Sequence, residues 1–488
     1  MASPSPRLHN PDLAPAQQRS WGTYSVFAMW MSDVHSVGTY TFAAGLFFLG
    51  LAAWQVLVAL VIGILVVFGL MNLTGFAGQR TGAPFPVIAR ISFGVFGANL
   101  PALIRALVAI AWYGIQTWLA STAVVVLSVQ LFPGLAALTR GGALGLSPLG
   151  WAAFGLLWVL QLLVIRRGME TIRKFQDWAG PAIWGIMAIL AIWIGIKAGS
   201  KLQWNLSSLQ LSGAGAALAF AAAISLTIAY FSTLLLNFCD FSRFTRSRRT
   251  VVRGNFLGLP LNFLAFAIVT VVVTGGSMVL FGKAITDPIR IVAMIHNPVV
   301  TIVGALAFTV ATIGVNVVAN FVSPAYDLAN VAPRHIDFKR GGLISAVLAL
   351  LVTPWNLYSS PVAINYFLGG LGAFLGPLFG VIFADYYLRR RQQVDIDDLY
   401  SDDPSGRYHY RGGWNPRALG AFAPAALISA VVALVPALHT VAAFSWPIGV
   451  VLGGAFYLAI TRPIGLPDDS TDTGAPAPQT ARMEASHE

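Results

Sequence analysis

Polar side chains stand at helical spacing inside several apolar stretches of this sequence. In the third stretch Trp112 and Gln116 are four residues apart, which places them on one face of a helix. A flat ring can stack on the Trp112 indole while the Gln116 amide donates and accepts hydrogen bonds at the edge of that ring. The pair therefore indicates a site for a planar heterocycle, with ordinary helix packing around one interhelical amide as the alternative.

Two other stretches carry groups of the same chemical character. Asn316 and Asn320 are also four residues apart, and two amides in an apolar helix are costly unless each finds a partner. They either bind a substrate or hold neighbouring helices together. Tyr230 and Phe231 supply a candidate second aromatic face, although aromatic side chains at such positions are also common in helix cores.

The first apolar stretch contains two ionisable residues, Asp33 and His35. An ionisable side chain at membrane depth costs about 2.5–3.5 kcal/mol on insertion scales, so it is rare and usually functional. Histidine titrates near neutral pH, which suits proton coupling. The alternative is that both residues lie at a helix end in the headgroup region.

The elements that must position these side chains are membrane helices. Hydrophobic residues make up 57% of the 488 residues and charged residues only 10%. Soluble chains carry about 25% charge, so most of this surface must face lipid. The net charge of +11 lies in short basic runs between the apolar stretches, which indicates loops and not a nucleic-acid partner.

The predicted fold class is an all-α integral membrane protein with twelve transmembrane helices. A span needs roughly 20 apolar residues. The twelve stretches of that kind are 23–47, 52–77, 98–132, 147–165, 176–197, 213–238, 255–281, 293–326, 341–357, 361–388, 414–437 and 441–461. Lys and Arg concentrate in alternate loops, which predicts a multi-pass protein of the cell membrane with both termini in the cytoplasm.

Many secondary transporters are built as an inverted repeat of five plus five helices, and a chain of twelve spans is long enough to contain one. The first and sixth spans would then be broken helices. The polar run from Ser32 to Gly38 supports a break in the first span. The sixth, Ala219 to Leu236, contains no glycine or proline, so its composition does not support a break. The expected organisation is an N-terminal tail (1–20), a first repeat (21–200), a second repeat (201–390), a loop (391–413), two further helices (414–462) and a disordered tail (463–488).

The motifs exclude some function classes. No phosphate-binding loop, metal-spaced histidine pair or nucleophile elbow occurs in the sequence, so we expect neither an enzyme nor a cofactor. A channel would need a continuous polar pore lining, whereas the polar groups cluster at similar depth in a few spans. The sequence therefore predicts a secondary transporter for a small heterocycle, monomeric in the lipid bilayer. A channel or a ligand-sensing membrane protein is the alternative.

The spacing of particular residues resembles the nucleobase:cation symporter-1 family. The resemblance extends from Trp21 to about Arg411. Matching residues and segments are Gly82, Pro84, Phe85, Arg90, Ser92-Phe93-Gly94, Gly97, Pro101, Arg105, Trp112, Gly114, Gln116, Asn237, Asp240-Phe241-Ser242-Arg243, Asn316-Val317-Val318-Ala319-Asn320, Ser323-Pro324 and Gly376-Pro377.

The resemblance implies a leucine-transporter-like inverted repeat that works by alternating access, with two further C-terminal helices. It also implies that the substrate is a purine or pyrimidine base, or a related compound such as allantoin or a hydantoin. A pyrimidine such as uracil or cytosine is the favoured substrate, with allantoin or a hydantoin as the alternative.

The resemblance also implies a binding site. Trp112 and Phe231 match the two aromatic positions that enclose the substrate, and Gln116 and Asn320 match the amides at its edge. Ser36 matches an amide position in the first span, with a shorter side chain.

For sodium-coupled relatives, the resemblance implies a cation site made of backbone carbonyls that match Ser32, His35 and Ala311. Two hydroxyl ligands complete that site, and they match Gly314 and Val315, which have no side-chain oxygen. Hard cations prefer oxygen ligands.

Thr312 lies near these positions, but on a regular helix its side chain points in another direction. Proton coupling, or transport independent of sodium, is therefore favoured over sodium coupling. Asp33 and His35 are the candidate proton carriers.

Overall fold

The computed structural model describes residues 4–206, 209–295, 297–359 and 361–461, without the side chains of 37, 308, 357–359, 361–369 and 371. The described residues are mainly helical, with isolated bridges and no strand. The tail predicted to be disordered, 463–488, lies outside this range.

Twenty α-helices are present in the described ranges. In chain order, α1 to α20 are Thr23–Val34, Val37–Leu46, Ala53–Thr81, Phe85–Phe93, Asn99–Leu131, Pro148–Ile165, Met169–Ala198, Gly213–Tyr230, Ser232–Asn237, Cys239–Ser242, Arg248–Phe256, Asn262–Phe281, Pro288–Met294, Pro298–Val315, Val322–Val331, Phe338–Leu351, Pro354–Ser359, Pro361–Phe383, Pro416–Leu434 and Ser445–Ile460. Wide π-helical turns occupy Leu257–Leu261, Asn316–Phe321 and Ala384–Arg389. Short 3-10 turns occupy Pro133–Thr139, Gly199–Lys201, Asp397–Tyr400, Pro436–Leu438 and Ala442–Phe444.

The long helices confirm the predicted fold class. Nine helices of the described ranges are long and apolar enough to cross a membrane. The other three predicted spans are interrupted or fall partly outside the described side chains: 23–47 is split into α1 and α2, 341–357 into α16 and α17, and 361–388 is mainly α18. The predicted bounds are approximate, since α7 begins at Met169 and not at 176.

The first span is broken where the polar run predicted it. Helix α1 ends at Val34 and α2 begins at Val37. Ser36 adopts an extended conformation, and its Oγ accepts a hydrogen bond from the backbone N–H of Thr39 at 3.0 Å. Ser36 thus caps the new helix and satisfies one of the donors that the break exposes.

The sixth span is also broken, although its composition gave no support for a break. Helix α8 ends at Tyr230 and α9 begins at Ser232, so the interruption is Phe231 itself. The Phe231 ring meets Trp30 of α1 at 6.4 Å between ring centroids and Phe263 of α12 at 5.7 Å, both edge to face. Because packing against other helices fixes Phe231, neither glycine nor proline is needed at the break.

The eighth span changes its helical geometry in the middle. Helix α14 runs into the π-helical turn Asn316–Phe321, and α15 continues from Val322. A π-turn widens the helix and leaves carbonyl groups available to other donors, and such turns are frequent at functional sites. Asn316 and Asn320, the two asparagines that the sequence pointed out, both lie in this turn.

A short buried helix occupies the connection between the second and third spans. All nine residues of α4 are buried. Arg90 of this helix donates hydrogen bonds to the Leu399 carbonyl at 2.8 Å and to Asn330 Oδ1 at 2.6 Å. Arg90, one of the residues that match the family, therefore holds these elements together.

The N-terminal segment 5–21 packs against one face of the bundle. Leu13 is fully buried, and Asn10 Nδ2 donates to the Ile336 carbonyl at 3.1 Å. Arg243 donates to the carbonyl of Asp12 at 3.1 Å. The Tyr400 hydroxyl donates to the Leu13 carbonyl at 2.7 Å, and burial raises the pKa of Tyr400 to about 12, so this donor keeps its proton at neutral pH.

Candidate functional site

The breaks of the first and sixth spans face each other, and a pocket lies between them and the third and eighth spans. The empty space, including the part that opens at its entrance, is about 420 Å³. The pocket is lined by Asp33, Trp112, Gln116, Tyr230, Phe231, Thr233, Leu234, Val315, Ala319 and Asn320.

Aromatic side chains line the pocket from two helices. Trp112 of α5 is partly buried and Phe231 is 1% exposed, so the Trp112 ring is the more accessible of the two. Tyr230 stacks on Phe42 with 4.4 Å between ring centroids, and its hydroxyl lies 2.9 Å from Thr39 Oγ1. These contacts tie the end of α8 to α2 across the two breaks.

The two asparagines of the π-turn have different environments. The Asn316 Nδ2 group contacts the Tyr113 carbonyl at 3.1 Å and Thr117 Oγ1 and Gln161 Oε1 at 2.9 Å each. Its Oδ1 accepts a hydrogen bond from Asn320 Nδ2 at 2.9 Å. Asn316 is fully buried outside the pocket lining and orients Asn320, which faces the pocket.

Gln116 is the second amide that lines the pocket. Its Oε1 has no hydrogen-bond partner among the described residues. A Cβ atom at Gly38 would lie 2.9 Å from Gln116 Nε2, so the glycine after the first break allows this close approach. A free amide oxygen in a buried pocket suits a ligand that carries N–H groups.

Asp33 and His35, the two ionisable residues of the first span, lie in different surroundings. Asp33 lines the pocket at 6% exposure. His35 is fully buried away from the pocket lining, with Nδ1 2.9 Å from the Tyr40 hydroxyl and its ring against Trp184 and Phe266. Ser36, the helix cap, also lies outside the lining.

The positions that match a sodium site do not fit one made with two hydroxyl ligands. Gly314 has no side chain, and Val315 lines the pocket with a hydrocarbon side chain. Gln176 of α7 fills part of the region, and its Nε2 donates to the Gly314 carbonyl at 2.8 Å. The Gly314 carbonyl lies close to the place where a cation would need oxygen ligands, and it already accepts a hydrogen bond from the Gln176 amide.

Other oxygens near the first break remain available. Ser32 Oγ, Thr312 Oγ1 and Gln176 Oε1 are buried without a hydrogen-bond partner in the described ranges. Ala311 is fully buried and contributes only backbone oxygen. No group of three or more His, Cys, Asp or Glu side chains suited to a metal ion occurs in the part of the chain that the structure describes.

Four residues of the pocket lining were not among the predicted substrate-binding residues: Thr233, Leu234, Val315 and Ala319. Thr233 and Leu234 enter the pocket because the helix restarts after Phe231, and a continuous helix would have directed them elsewhere. Val315 and Ala319 are one helical turn apart and precede Asn316 and Asn320 by one residue each. The sequence signal for them was their position beside the two asparagines.

Comparison with known proteins decides the family. A model described as "Permease for cytosine/purines, uracil, thiamine, allantoin" matches residues 14–449. The chain belongs to the nucleobase:cation symporter-1 family of permeases. This permease is 40% identical over 464 residues to an allantoin permease of Bacillus subtilis, covering 94% of each chain. It is 35% identical over 444 residues to the purine-uracil permease NCS1 of Arabidopsis thaliana, covering 90% of this chain and 73% of that protein.

The permease also resembles a solved structure of the same family. Mhp1, a nucleobase-cation-symport-1 family transporter in a closed conformation with bromovinylhydantoin bound, superposes with a TM-score of 0.74 at 26% identity. The match covers 92% of the permease and 94% of the Mhp1 chain. The permease is therefore a multi-pass membrane transporter for small heterocycles with a leucine-transporter-like fold, and it is not an enzyme.

Proposed function

We propose that the permease imports a hydantoin-type heterocycle, with allantoin as the first candidate substrate. The observation that carries this proposal is the pocket between the two broken helices. It combines one accessible indole, Trp112, with amide groups of Gln116 and Asn320 and a carboxyl group of Asp33. A ring compound that displays several N–H and C=O groups would use all of them.

Allantoin is placed before the pyrimidines that the sequence favoured. Allantoin is a hydantoin ring with a ureido arm, so it offers more N–H donors than uracil does. The Asp33 carboxyl group and Gln116 Oε1 at the pocket can accept hydrogen bonds from these N–H groups. The 40% identity to an allantoin permease supports the same order.

A pyrimidine base such as uracil or cytosine is the second candidate. A flat six-membered ring stacks on Trp112 and presents its edge to Gln116 and Asn320, which all line one pocket. The similarity to a purine-uracil permease supports this candidate.

Uptake by purified protein in proteoliposomes tests the proposed function. Labelled allantoin, hydantoin, uracil and cytosine are supplied separately, and empty liposomes give the background. We expect saturable uptake of allantoin that excess unlabelled allantoin suppresses more strongly than excess uracil. Uptake that never saturates would contradict a carrier. Saturable uptake of uracil alone would make a pyrimidine the substrate in place of allantoin.

We also propose that this uptake is linked to protons and not to sodium. The support is the absence of hydroxyl side chains at Gly314 and Val315 and the presence of the Gln176 amide beside them. Of the two carriers that the sequence indicated, Asp33 lies at the pocket and His35 does not. Proton and sodium gradients imposed one at a time should show accumulation with the proton gradient only, and accumulation driven by sodium alone would refute this proposal.

The orientation and assembly also belong to the proposal. We infer that the permease lies in the cell membrane with both termini in the cytoplasm. We also infer that it acts as a monomer. The alternation of Lys and Arg between loops supports the orientation. A single cysteine is placed at Gln18 or at Lys201, and intact cells are treated with a membrane-impermeant labelling reagent. We expect the reagent to modify the cysteine at position 201 and not the one at position 18.

A further inference from the structure

Three ionisable side chains lie buried together outside the pocket. They are Arg105 of α5, Asp240 of α10 and Asp327 of α15, and each is fully buried. Charged groups at membrane depth are costly unless they are paired and hydrogen-bonded, so each member of this charge cluster needs an explanation. The pocket lining contains none of the three.

Asp240 has the hydrogen bonds that a carboxylate requires. Its Oδ1 accepts from the backbone N–H of Phe85 at 2.7 Å, and its Oδ2 accepts from the Ser323 hydroxyl at 2.9 Å. Asn237 donates in turn to Ser323 Oγ. An ionised Asp240 is therefore well accommodated where it lies.

Arg105 and Asp327 are not satisfied in the same way. Arg105 Nη2 donates to the Ala319 carbonyl at 3.0 Å, while its Nε and Nη1 have no partner among the described residues. Neither carboxyl oxygen of Asp327 has a hydrogen-bond partner in the described ranges. An ionised carboxylate without any donor is the least stable arrangement that a buried acid can adopt.

The groups around the two carboxyls favour the ionised form at Asp240 more than at Asp327. Arg105 and Asp240 are the charged groups that face it, with the Cys239 thiol beside them. Arg90 of the neighbouring α4 donates its hydrogen bonds to the Leu399 carbonyl and to Asn330 Oδ1, and not to Asp327. On α16, which also packs on α15, the basic side chains Lys339 and Arg340 are exposed to solvent. Asp240 faces two guanidinium groups, those of Arg105 and Arg243, and also has hydrogen-bond donors, whereas Asp327 faces Arg105 and receives no hydrogen bond in the described ranges.

We propose that Asp327 is a proton-binding site of this permease. In the present conformation its carboxyl group is neutral. When Arg105 turns from the Ala319 carbonyl towards Asp327, the carboxyl O–H bond breaks and the proton passes to water. The new carboxylate is then balanced by the guanidinium.

The position of Asp327 connects this site with the substrate pocket. Asp327 follows Asn320 by seven residues, which is about two helical turns or roughly 10 Å along the helix axis. The Ala319 carbonyl accepts the hydrogen bond from Arg105, and Ala319 itself precedes Asn320 and lines the pocket. A substrate that shifts the π-turn therefore changes the position of Arg105 relative to Asp327. The use of this proton in transport rests on the proposed proton-linked uptake, whereas its presence does not.

Infrared spectroscopy of the full-length permease in lipid tests the site directly. We expect Asp327→Asn to lose the carbonyl absorption of one protonated carboxyl group at neutral pH. Asp240→Asn is the matched control, because an ionised Asp240 contributes nothing to that absorption. Asp327→Glu keeps a carboxyl group and should keep the band. Full intensity in Asp327→Asn, or an equal loss in Asp240→Asn, would overturn the proposal.

Transport measurements then separate the site from the proposed coupling. If Asp327 carries the coupling proton, Asp327→Asn loses accumulation driven by a proton gradient, while exchange of labelled for unlabelled substrate remains measurable. Accumulation equal to that of the unmodified protein would refute a coupling role for Asp327. Unmodified permease that ignores a proton gradient would instead refute the proposed coupling, and the infrared result would still decide whether Asp327 binds a proton.

Discussion

At the scale of single residues, Trp112 is the side chain on which the proposed binding of a flat ring depends most. Stacking on an aromatic face contributes about 0.5–1.5 kcal/mol beyond the burial of area, and Trp112 is the more accessible of the two rings at the pocket. Phe231, fixed by its edge contacts with Trp30 and Phe263, forms part of the wall.

The first prediction concerns Trp112→Ala. We expect it to weaken allantoin binding about tenfold or more, because about 1.4 kcal/mol corresponds to one factor of ten. Leu107→Ala is the matched control on the same helix, since Leu107 is 61% exposed on the outside of the bundle. Calorimetric titration of both purified variants measures the difference. Equal affinities of the two variants would argue against a stacking role.

The second prediction separates the two asparagines of the π-turn. Asn316→Ala leaves Gln161 Oε1 without a buried donor and removes one of the two donors to the Tyr113 carbonyl and to Thr117 Oγ1. An unsatisfied buried group costs about 1–3 kcal/mol. We therefore expect a clearly lower melting temperature. Asn320→Ala removes a pocket group and should weaken binding with a smaller effect on melting. Thermal unfolding and titration of both variants test this, and identical behaviour would contradict the division of roles.

At the scale of elements, the broken helices depend on the straight helices packed beside them. Helix α3 approaches α8 closely at Gly63, where an added Cβ atom would lie 2.7 Å from Thr227 Cβ. Gly69 lies further along α3 and has nothing within 4 Å of that position. The two glycines therefore form a matched pair on one helix.

The third prediction uses this pair. Gly63→Ala should destabilise the permease by about 1–3 kcal/mol, because the clash forces α3 and α8 apart. Gly69→Ala should be neutral or stabilising by up to about 1 kcal/mol, since alanine favours a helix more than glycine does. The melting temperatures of the two purified variants give the comparison. A Gly63→Ala variant as stable as Gly69→Ala would mean that the contact is loose.

At the scale of the whole molecule, the N-terminal segment 5–21 joins parts of the chain that are distant in sequence. It contacts Ile336 before α16, Arg243 after α10 and Tyr400 in the 391–413 loop. Deep burial of Leu13 anchors it. The segment was expected only as a cytoplasmic tail, and its packing makes it part of the folded bundle.

The fourth prediction follows from that burial. Leu13→Asp places an unpaired charge at a fully buried position and should destabilise the permease by about 3 kcal/mol or more. Gln18→Asp changes an exposed side chain of the same segment and should leave the melting temperature nearly unchanged. A small effect in both variants would show that the segment detaches from the bundle at little cost.

The sequence by itself determined the class of protein and indicated two of the side chains that line the pocket, Trp112 and Gln116. With 10% charged residues the chain must present apolar side chains to lipid, and its helices follow from that requirement. Trp112 and Gln116 reach the pocket together because a four-residue spacing places both on one face of any regular helix. The polar run that ends at Gly38 likewise predicted the first break correctly.

Only the tertiary structure decided which polar groups remain free. Asn316 and Asn320 have the same spacing and chemistry, yet Gln161 and Thr117 from other helices satisfy the first and leave the second at the pocket. The break at Phe231 depends in the same way on rings of remote helices. Local spacing defines a face of a helix, but the partner of that face is set by the approach of segments far away in the chain.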